Sequence, residues 1–282
     1  IAAEADTPLE LDLPEGIYAD VDPRRVERIV RNLVTNEFEP LLLGVRRNVN
    51  ATPGKDITNA DIILDTHLSM EVPVTIENPP IVSGIAGTTS VFAYVDLGAE
   101  GWFPIGQSTT DQAASAVVSR LPPLTGENLA FHAQGHNPLA PNSLVGIFRT
   151  QAGDVSQGIT IGPMMGMTRI VQPSATETFD GVIEWIVEDG PPADVTVASI
   201  FEMTLTGPIL QWQIVVPGTE TRVTVPPQVL DRLREKFGPG MQLLLNLQRG
   251  REPRFKYEQW SYENLGIDRF SGFTVENAII TL

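Results

Sequence analysis

Alternation of apolar and polar residues is the feature of this chain that most constrains its fold. Five stretches carry apolar side chains at every second position: 72–76, 129–133, 183–187, 210–216 and 241–247. In the fourth, Leu210, Trp212, Ile214 and Val216 alternate with Gln211 and Gln213. A period of two is typical of strands that bury one face, so these stretches predict sheets with one face against a core.

Proline and glycine punctuate these strands along the whole chain. The 23 prolines and 24 glycines are spread through the 282 residues and separate short apolar stretches. Such spacing is typical of β-sandwiches. The sequence therefore predicts a mostly β protein made of tandem antiparallel β-sandwich modules with one or two short helices.

Two segments have helical periodicity instead. In residues 227–237, Val229, Leu230, Leu233 and Phe237 share one helical face, and Gly238 is placed to end the helix. In residues 22–34, Asp22 could cap a helix with Val26, Ile29 and Val30 on one face. Both are predicted to be short helices that lie against sheets.

Composition shifts divide the chain into three predicted parts. Candidate boundaries lie at 66–70 and in the Gly-, Pro- and Met-containing stretch 162–172. We therefore expect a first domain over 1–69, a β-sandwich over 70–165 and a third β module over 166–282. The methionines near 165 are expected to fill gaps in a core rather than to bind a ligand.

The N-terminal part resembles a known family. Residues 13–18 read LPEGIY, similar to the LPxGxY strand of carboxypeptidase-regulatory-like (prealbumin-like) domains, and residues 48–64 resemble the closing hairpin of that family. The resemblance covers about the first 65 residues and implies a non-catalytic β-sandwich, possessing fewer early strands than usual. Segment 22–36 departs from the family by its helical pattern, where the family would usually have a strand or a loop.

The remainder has a general likeness to Ig-like and fibronectin-like modules of secreted bacterial proteins. The run Trp212-Gln213-Ile214 followed by Pro217-Gly218 carries it. Such modules act as spacers, adhesins or accessory domains, which implies a protein outside the cytoplasm.

Charge and cysteine content exclude several classes of function. The formal net charge of −16 opposes binding to phosphate backbones, so we expect no nucleic-acid partner. The absence of cysteine excludes disulfides, zinc–thiolate sites and thiol nucleophiles. No run approaches the roughly 20 apolar residues that cross a bilayer, so no membrane-spanning segment is expected. Loops rich in Asp leave weak calcium capture as an alternative to simple solubility.

Constellations for catalysis are weak, and we expect neither a catalytic site nor a cofactor nor a bound metal. His132 and His136 are four residues apart, but they fall on a strand and a turn, where exposed histidines are expected. Segment 22–36 could be a magnesium-binding kinase helix with Asn36 as the ligand, although Asp189 follows too far along the chain. A glycosidase pair such as Glu184 and Glu188 is a further alternative.

Aromatic residues supply the candidate contact site. Trp185 and Trp212 are expected in the core because they alternate with polar neighbours. A basic and aromatic tract near residue 255 is better placed for exposure, and its candidate contact residues for a partner or ligand are Arg251, Arg254, Phe255, Tyr257, Trp260 and Tyr262.

The sequence thus favours a non-catalytic structural or interaction protein of the cell surface, periplasm or extracellular space. Its expected partners are other protein subunits, including copies of itself in an oligomer or filament. The alternative is a carbohydrate-binding or accessory module with residues 255–262 as a platform of rings. An enzyme of unfamiliar type with paired acids is a third hypothesis.

Overall fold

The structure is a computed structural model that describes residues 26–31, 42–49, 66–96, 102–110, 114–121, 128–152, 155–174, 177–252, 255–259 and 270–282. Strands dominate these residues. They are β1 (Val26–Arg31), β2 (Leu42–Val49), β3 (Thr66–His67), β4 (Met70–Ile76), β5 (Ile81–Val82), β6 (Ile85–Ala86), β7 (Thr88–Asp96), β8 (Trp102–Thr110), β9 (Ser115–Leu121), β10 (Asn128–Asn137), β11 (Ala140–Ala152), β12 (Ile159–Ile161), β13 (Thr168–Gln172), β14 (Val182–Val187), β15 (Val195–Thr204), β16 (Gly207–Pro217), β17 (Arg222–Thr224), β18 (Gln242–Arg251) and β19 (Gly272–Thr281). The predicted mostly β class is confirmed.

One eight-stranded sheet runs through the molecule in the order β16-β15-β18-β19-β11-β10-β7-β8. Strand β19 lies near the middle of this sheet and pairs antiparallel with β18 on one side and with β11 on the other. The last strand of the chain therefore joins strands from before and after residue 165 into one sheet.

The inner face of this sheet buries two cores. Core 1 lies between β7, β8, β10 and β11 and a smaller sheet in the order β12-β4-β9. Core 2 lies between β15, β18 and β19 and the sheet β13-β14-β17. The alternation of β4, with Val72, Val74 and Ile76 buried, is as the sequence predicts.

Several core residues follow the sequence prediction. Trp185 is fully buried in core 2, and Trp212 packs against that core. Met164, Met165 and Met167 are fully buried in core 1, as expected of gap-filling methionines.

The predicted C-terminal helix is present as α1 (Pro227–Phe237). Leu230 and Leu233 bury its apolar face in core 2. Gly238 ends it with φ +78°, a conformation that glycine adopts without steric cost, and its N–H donates to the carbonyl of Arg234.

The predicted helix over residues 22–34 is wrong. Residues 26–31 form β1, which pairs antiparallel with β2 through Ile29 and Val45. The apolar residues here are mostly β-branched, and such side chains favour an extended backbone when a partner strand is available. The same finding removes the helix on which the magnesium-binding alternative with Asn36 depended.

The three-part division stays a prediction. Residues 1–25, 32–41 and 50–65, including the motif at 13–18, lie outside the described residues, as does most of the predicted first domain. Within the described residues, β1, β2 and β3 form a three-stranded sheet.

Candidate interaction surfaces

The outer face of the eight-stranded sheet, opposite the two cores, carries the surfaces of interest. Its middle is covered, because Val195, Val197, Phe270 and Phe273 are buried there in one cluster, with Phe255 packed against it. Within the described residues, a row of aromatic rings lies at one end of the face, with Phe273 as the member that it shares with this cluster, and a patch of exposed apolar side chains lies at the other end. We name these regions the ring row and the aliphatic end.

The ring row lies on strands β7, β8, β10, β11 and β19. Its six rings are Phe92, Tyr94, Trp102, His132, Phe148 and Phe273. The ring of Trp102 lies 5.9 Å from that of Tyr94 and 5.2 Å from that of Phe148, centroid to centroid. Aromatic pairs at these separations stabilise each other beyond the area that they bury.

Cross-strand register creates this row. Phe92, His132 and Phe148 lie directly opposite one another on neighbouring strands, so their side chains share a face. Ala130 also points outward, opposite Tyr94, yet it is buried. The small side chain of Ala130 therefore lies beneath neighbouring side chains on this face.

His132 is the buried centre of the ring row. Its ring stacks on Phe148 at 4.0 Å and is only 7% exposed. Burial lowers the pKa of His132 to about 4, so the imidazole is neutral near pH 7. The expectation of an exposed histidine is therefore wrong, because three phenylalanine rings cover the outward side of β10 here.

The aliphatic end lies at the opposite corner of the same face. We define it by Phe201, Met203, Leu205, Leu210, Leu244 and Ile279. Leu210, Phe201, Leu244 and Ile279 form one register row across β16, β15, β18 and β19. Leu205 is fully exposed at the turn between β15 and β16, and Met203, Leu210 and Ile279 are each about half exposed.

A β-bulge turns Leu210 outward. Ile200 lies opposite Trp212, but the next residue, Phe201, lies opposite Leu210, so Gln211 is the extra residue. An extra residue reverses the face of every side chain beyond it. The sequence alternation placed Leu210 with Trp212 on the core side, and that prediction is wrong for Leu210.

The aliphatic end is also uncharged. The β16 sequence 207–217 contains no Asp, Glu, Lys or Arg, although the chain as a whole has a formal net charge of −16. The nearest carboxylate on β15, Glu202, alternates to the opposite face and binds Nζ of Lys236 at 3.3 Å. Exposed aliphatic area without charge is typical of a protein contact surface.

A polar row separates the aliphatic end from the covered middle. Gln213 donates to Ser199 at 2.9 Å, and Asn246 donates to Asn277 at 2.8 Å. Gln248 donates to Asn246 at 2.8 Å. These side chains hydrogen-bond one another along the sheet and mark the boundary of the apolar patch.

A buried polar cluster lies on the inner face between the two cores. Arg249 is 4% exposed and donates to the carbonyl of Gly218 at 3.1 Å and to Thr168 at 3.4 Å. Thr168 and Thr274 share a hydrogen bond at 2.8 Å. Burial lowers the pKa of Arg249 to about 10, so it remains charged near pH 7.

Glu276 is the acidic member of this cluster. Burial raises the pKa of Glu276 to about 7, against smaller lowering effects of a hydrogen bond with the backbone of Ile170 and the charge of Arg169. Its Oε2 accepts no hydrogen bond from the described residues. The carboxyl therefore takes up a proton at a higher pH than an exposed glutamate does, which makes it a pH-sensitive element of the fold.

The candidate residues from the sequence are only partly described. Arg251 is half-buried in β18, and Phe255 is half-buried against the covered middle. Tyr257 lies in a short 3-10 helix, Tyr257–Gln259. Arg254, Trp260 and Tyr262 lie outside the described residues, so the proposed platform over 255–262 stays a prediction.

Sequence reasoning missed both outer surfaces. Phe92 and Tyr94 alternate with buried Val91, Ala93 and Val95, so their outward direction was readable from the sequence. Their meeting with Trp102 and Phe148 depends on the pairing of distant strands, which no local pattern contains.

The histidine pair is unsuited to one metal ion. His132 and His136 lie on one strand, where four residues span about 13 Å. Within the described residues, no three acidic or histidine side chains gather in a way that could hold a metal ion. None of the helices in the described part of the chain is long and apolar enough to cross a bilayer.

Comparison with known proteins identifies no family for this chain. No family model and no curated protein matches this chain. A solved structure of the FN1–FN3 domains of chicken CNTN1 aligns with 78% of this chain and 91% of its own, at 7% identity and a TM-score of 0.20. A TM-score this low does not support a common fold.

Proposed function

We propose that this chain is a non-catalytic interaction protein that self-associates through the aliphatic end. The main observation in support is the uncharged row of side chains beside exposed Met203 and Leu205, which consists of Leu210, Phe201, Leu244 and Ile279. Two copies that meet here bury the apolar side chains of both.

The low charge of the aliphatic end permits a second copy as its occupant. Copies of a protein with net charge −16 repel one another over most of their surface. At the aliphatic end two copies can meet through strands β16, whose described residues include no carboxylate. An identical patch is also complementary in its chemistry, because aliphatic area meets aliphatic area.

The proposal places the protein outside the cytoplasm, at a bacterial surface or in the periplasm, as a subunit of an assembly or filament. Support comes from the lack of cysteine and from the motifs at 13–18 and 48–64. Those motifs support a carboxypeptidase-regulatory-like module ahead of the Ig-like or fibronectin-like strands.

Sedimentation velocity over a range of protein concentrations tests the proposal. We expect the wild type to form a dimer or larger species, and the double variant Met203→Glu/Leu205→Glu to remain monomeric. The matched control is Val117→Glu/Ile186→Glu, which adds the same charge at two other exposed apolar positions. It should associate like the wild type.

Either of two results contradicts the proposal. One is a wild type that stays monomeric at the highest concentrations reached. The other is equal loss of association in both double variants, because net charge rather than the aliphatic end would then control it.

A further inference from the structure

The carboxyl of Glu276 lies beside strand β13 of the smaller sheet β13-β14-β17. It has a hydrogen bond with the backbone of Ile170, and the charge of the neighbouring Arg169 acts on it. Glu276 itself belongs to β19 of the eight-stranded sheet. The carboxyl is therefore a point at which a side chain can connect the two layers around core 2.

Arg169 has a different carboxylate partner beside its own strand. Its Nη2 binds Oε1 of Glu188 at 3.3 Å, and Glu188 directly follows β14 in the same small sheet. The Nε atom of Arg169 is buried and has no hydrogen-bond partner. A guanidinium carries several N–H donors in a fixed fork, so the bond to Glu188 leaves donors unused.

The unused donor of Arg169 has a matching acceptor. Oε2 of Glu276 is buried and also lacks a hydrogen-bond partner. A protonated carboxyl tolerates this burial better than a carboxylate, because a buried negative charge without a partner is costly. Burial raises the pKa of Glu276 to about 7, so the negative charge appears at a higher pH than it does on an exposed glutamate.

The other side chains that face Glu276 are less suited to become its partner. Arg249 on β18 lies diagonal to it, and both Nη groups of Arg249 already donate to other residues of the chain. On β11 the residue directly opposite is Ser143, which is buried and carries no charge. Arg169 is therefore the cation best placed to respond when Glu276 becomes charged.

We propose that Arg169 is a switch with two positions. Its guanidinium binds Glu188 while Glu276 is protonated, and it turns to Oε2 of Glu276 when that carboxyl loses its proton. The first pair lies within the smaller sheet, whereas the second joins that sheet to the eight-stranded sheet. Rising pH thus exchanges a contact within one layer for a contact between the two layers around core 2. The switch is independent of the proposed self-association, because none of its three residues belongs to the aliphatic end.

Side-chain NMR of the full chain tests the exchange directly. Over the titration of Glu276, ¹H–¹⁵N spectra follow the Nε–H of Arg169, and ¹³C spectra follow the carboxyls of Glu188 and Glu276. We expect all three signals to shift with one common midpoint. In Glu276→Gln, the shifts of the Arg169 and Glu188 signals over that pH range should disappear.

Two backgrounds separate the exchange from a direct effect of charge. Glu188→Gln releases Arg169 for Glu276 and should lower the titration midpoint of Glu276 by about one pH unit. In an Arg169→Gln background, the same substitution should leave that midpoint unchanged. The matched control is Glu202→Gln, which removes the carboxylate of the Lys236–Glu202 pair, also 3.3 Å long, and should have no effect on Glu276.

Four results overturn the proposal. The first is an Arg169 signal that does not shift as Glu276 titrates. The second is a shift at Arg169 without one at Glu188, because Glu188 would then keep its partner. The third is an equal fall of the Glu276 midpoint after Glu188→Gln with and without Arg169, which would show a direct effect of charge. The fourth is a shift of the Arg249 Nε–H signal in place of that of Arg169, which would assign the contact to Arg249.

Discussion

The ring row and the aliphatic end occupy one face of one sheet, yet their side chains are satisfied in different ways. In the ring row, His132 stacks on Phe148, and Trp102 contacts two further rings. At the aliphatic end, Leu205 is fully exposed and Met203 is more than half exposed. The side chains of the ring row therefore stabilise the folded monomer by packing on one another. The exposed side chains of the aliphatic end stabilise it little, because they bury their surface only when a partner covers them.

The largest expected effect tests whether the two ends belong to one folding unit. Leu245 is fully buried in core 2, so Leu245→Ala should cost about 2–5 kcal/mol. Because β19 pairs with both β11 and β18, we expect a single calorimetric transition that shifts as a whole.

Two transitions, of which only one moves in Leu245→Ala, would contradict this expectation. That result would show that the ring row and the aliphatic end unfold independently. It would also support the predicted boundary near residue 165.

The second effect concerns the buried carboxyl between the two ends. The folded pKa of Glu276, about 7, is above its unfolded value of 4.5. The contribution of Glu276 to the free energy of unfolding is therefore fully present below pH 4.5 and is lost as the pH rises to 7. A difference of this size corresponds to about 3 kcal/mol. Glu276→Gln should therefore stabilise the protein at pH 8 relative to the wild type, by urea unfolding, and much less at pH 4.

In the ring row, His132 should change the stability with pH in the opposite direction. The folded pKa of His132, about 4, is below the unfolded value of 6.5, so stability is full above pH 6.5 and falls as the pH drops towards 4. The loss at pH 5 is about 2 kcal/mol. His132→Phe keeps a stacked ring and should remove this loss.

Between pH 4.5 and 6.5 the contributions of these two groups to the free energy of unfolding nearly cancel in the wild type, because their slopes oppose each other. His132→Phe should lose stability as the pH rises through that range, and Glu276→Gln should gain it. Parallel profiles for all three proteins would contradict the burial of both groups.

The smallest effect compares the two surfaces directly. Trp102→Ala removes two ring contacts and should cost about 1 kcal/mol. Leu205→Ala removes a fully exposed side chain and should change the stability by less than about 0.5 kcal/mol. Thermal melts of both variants check the difference, and equal losses would mean that Leu205 contributes a contact to the folded monomer.

The parts of the fold that depend on local pattern were predictable. The face of Leu230 and Leu233 and the glycine at 238 predict α1, and the alternation around Trp185 predicts a half-buried strand. Both patterns are complete within a dozen residues. The burial of Met164 and Met165 follows from their chemistry.

The parts of the fold that depend on strand pairing were not predictable from the sequence. Periodicity cannot locate the bulge at Phe201 and Leu210, because the extra residue is defined by the partner strand. For the same reason the helical spacing of Val26, Ile29 and Val30 was misleading, since pairing with β2 decides their conformation. His132 is buried only because strands distant in sequence bring phenylalanines around it.

The six methionines permit the most direct test of the central claim that the aliphatic end is the contact between copies. In a protein labelled with ¹³C at the methionine methyl groups, we predict that raising the protein concentration shifts or broadens the signal of exposed Met203, while the signals of buried Met164, Met165 and Met167 do not change. A concentration-independent signal for Met203 would contradict the account.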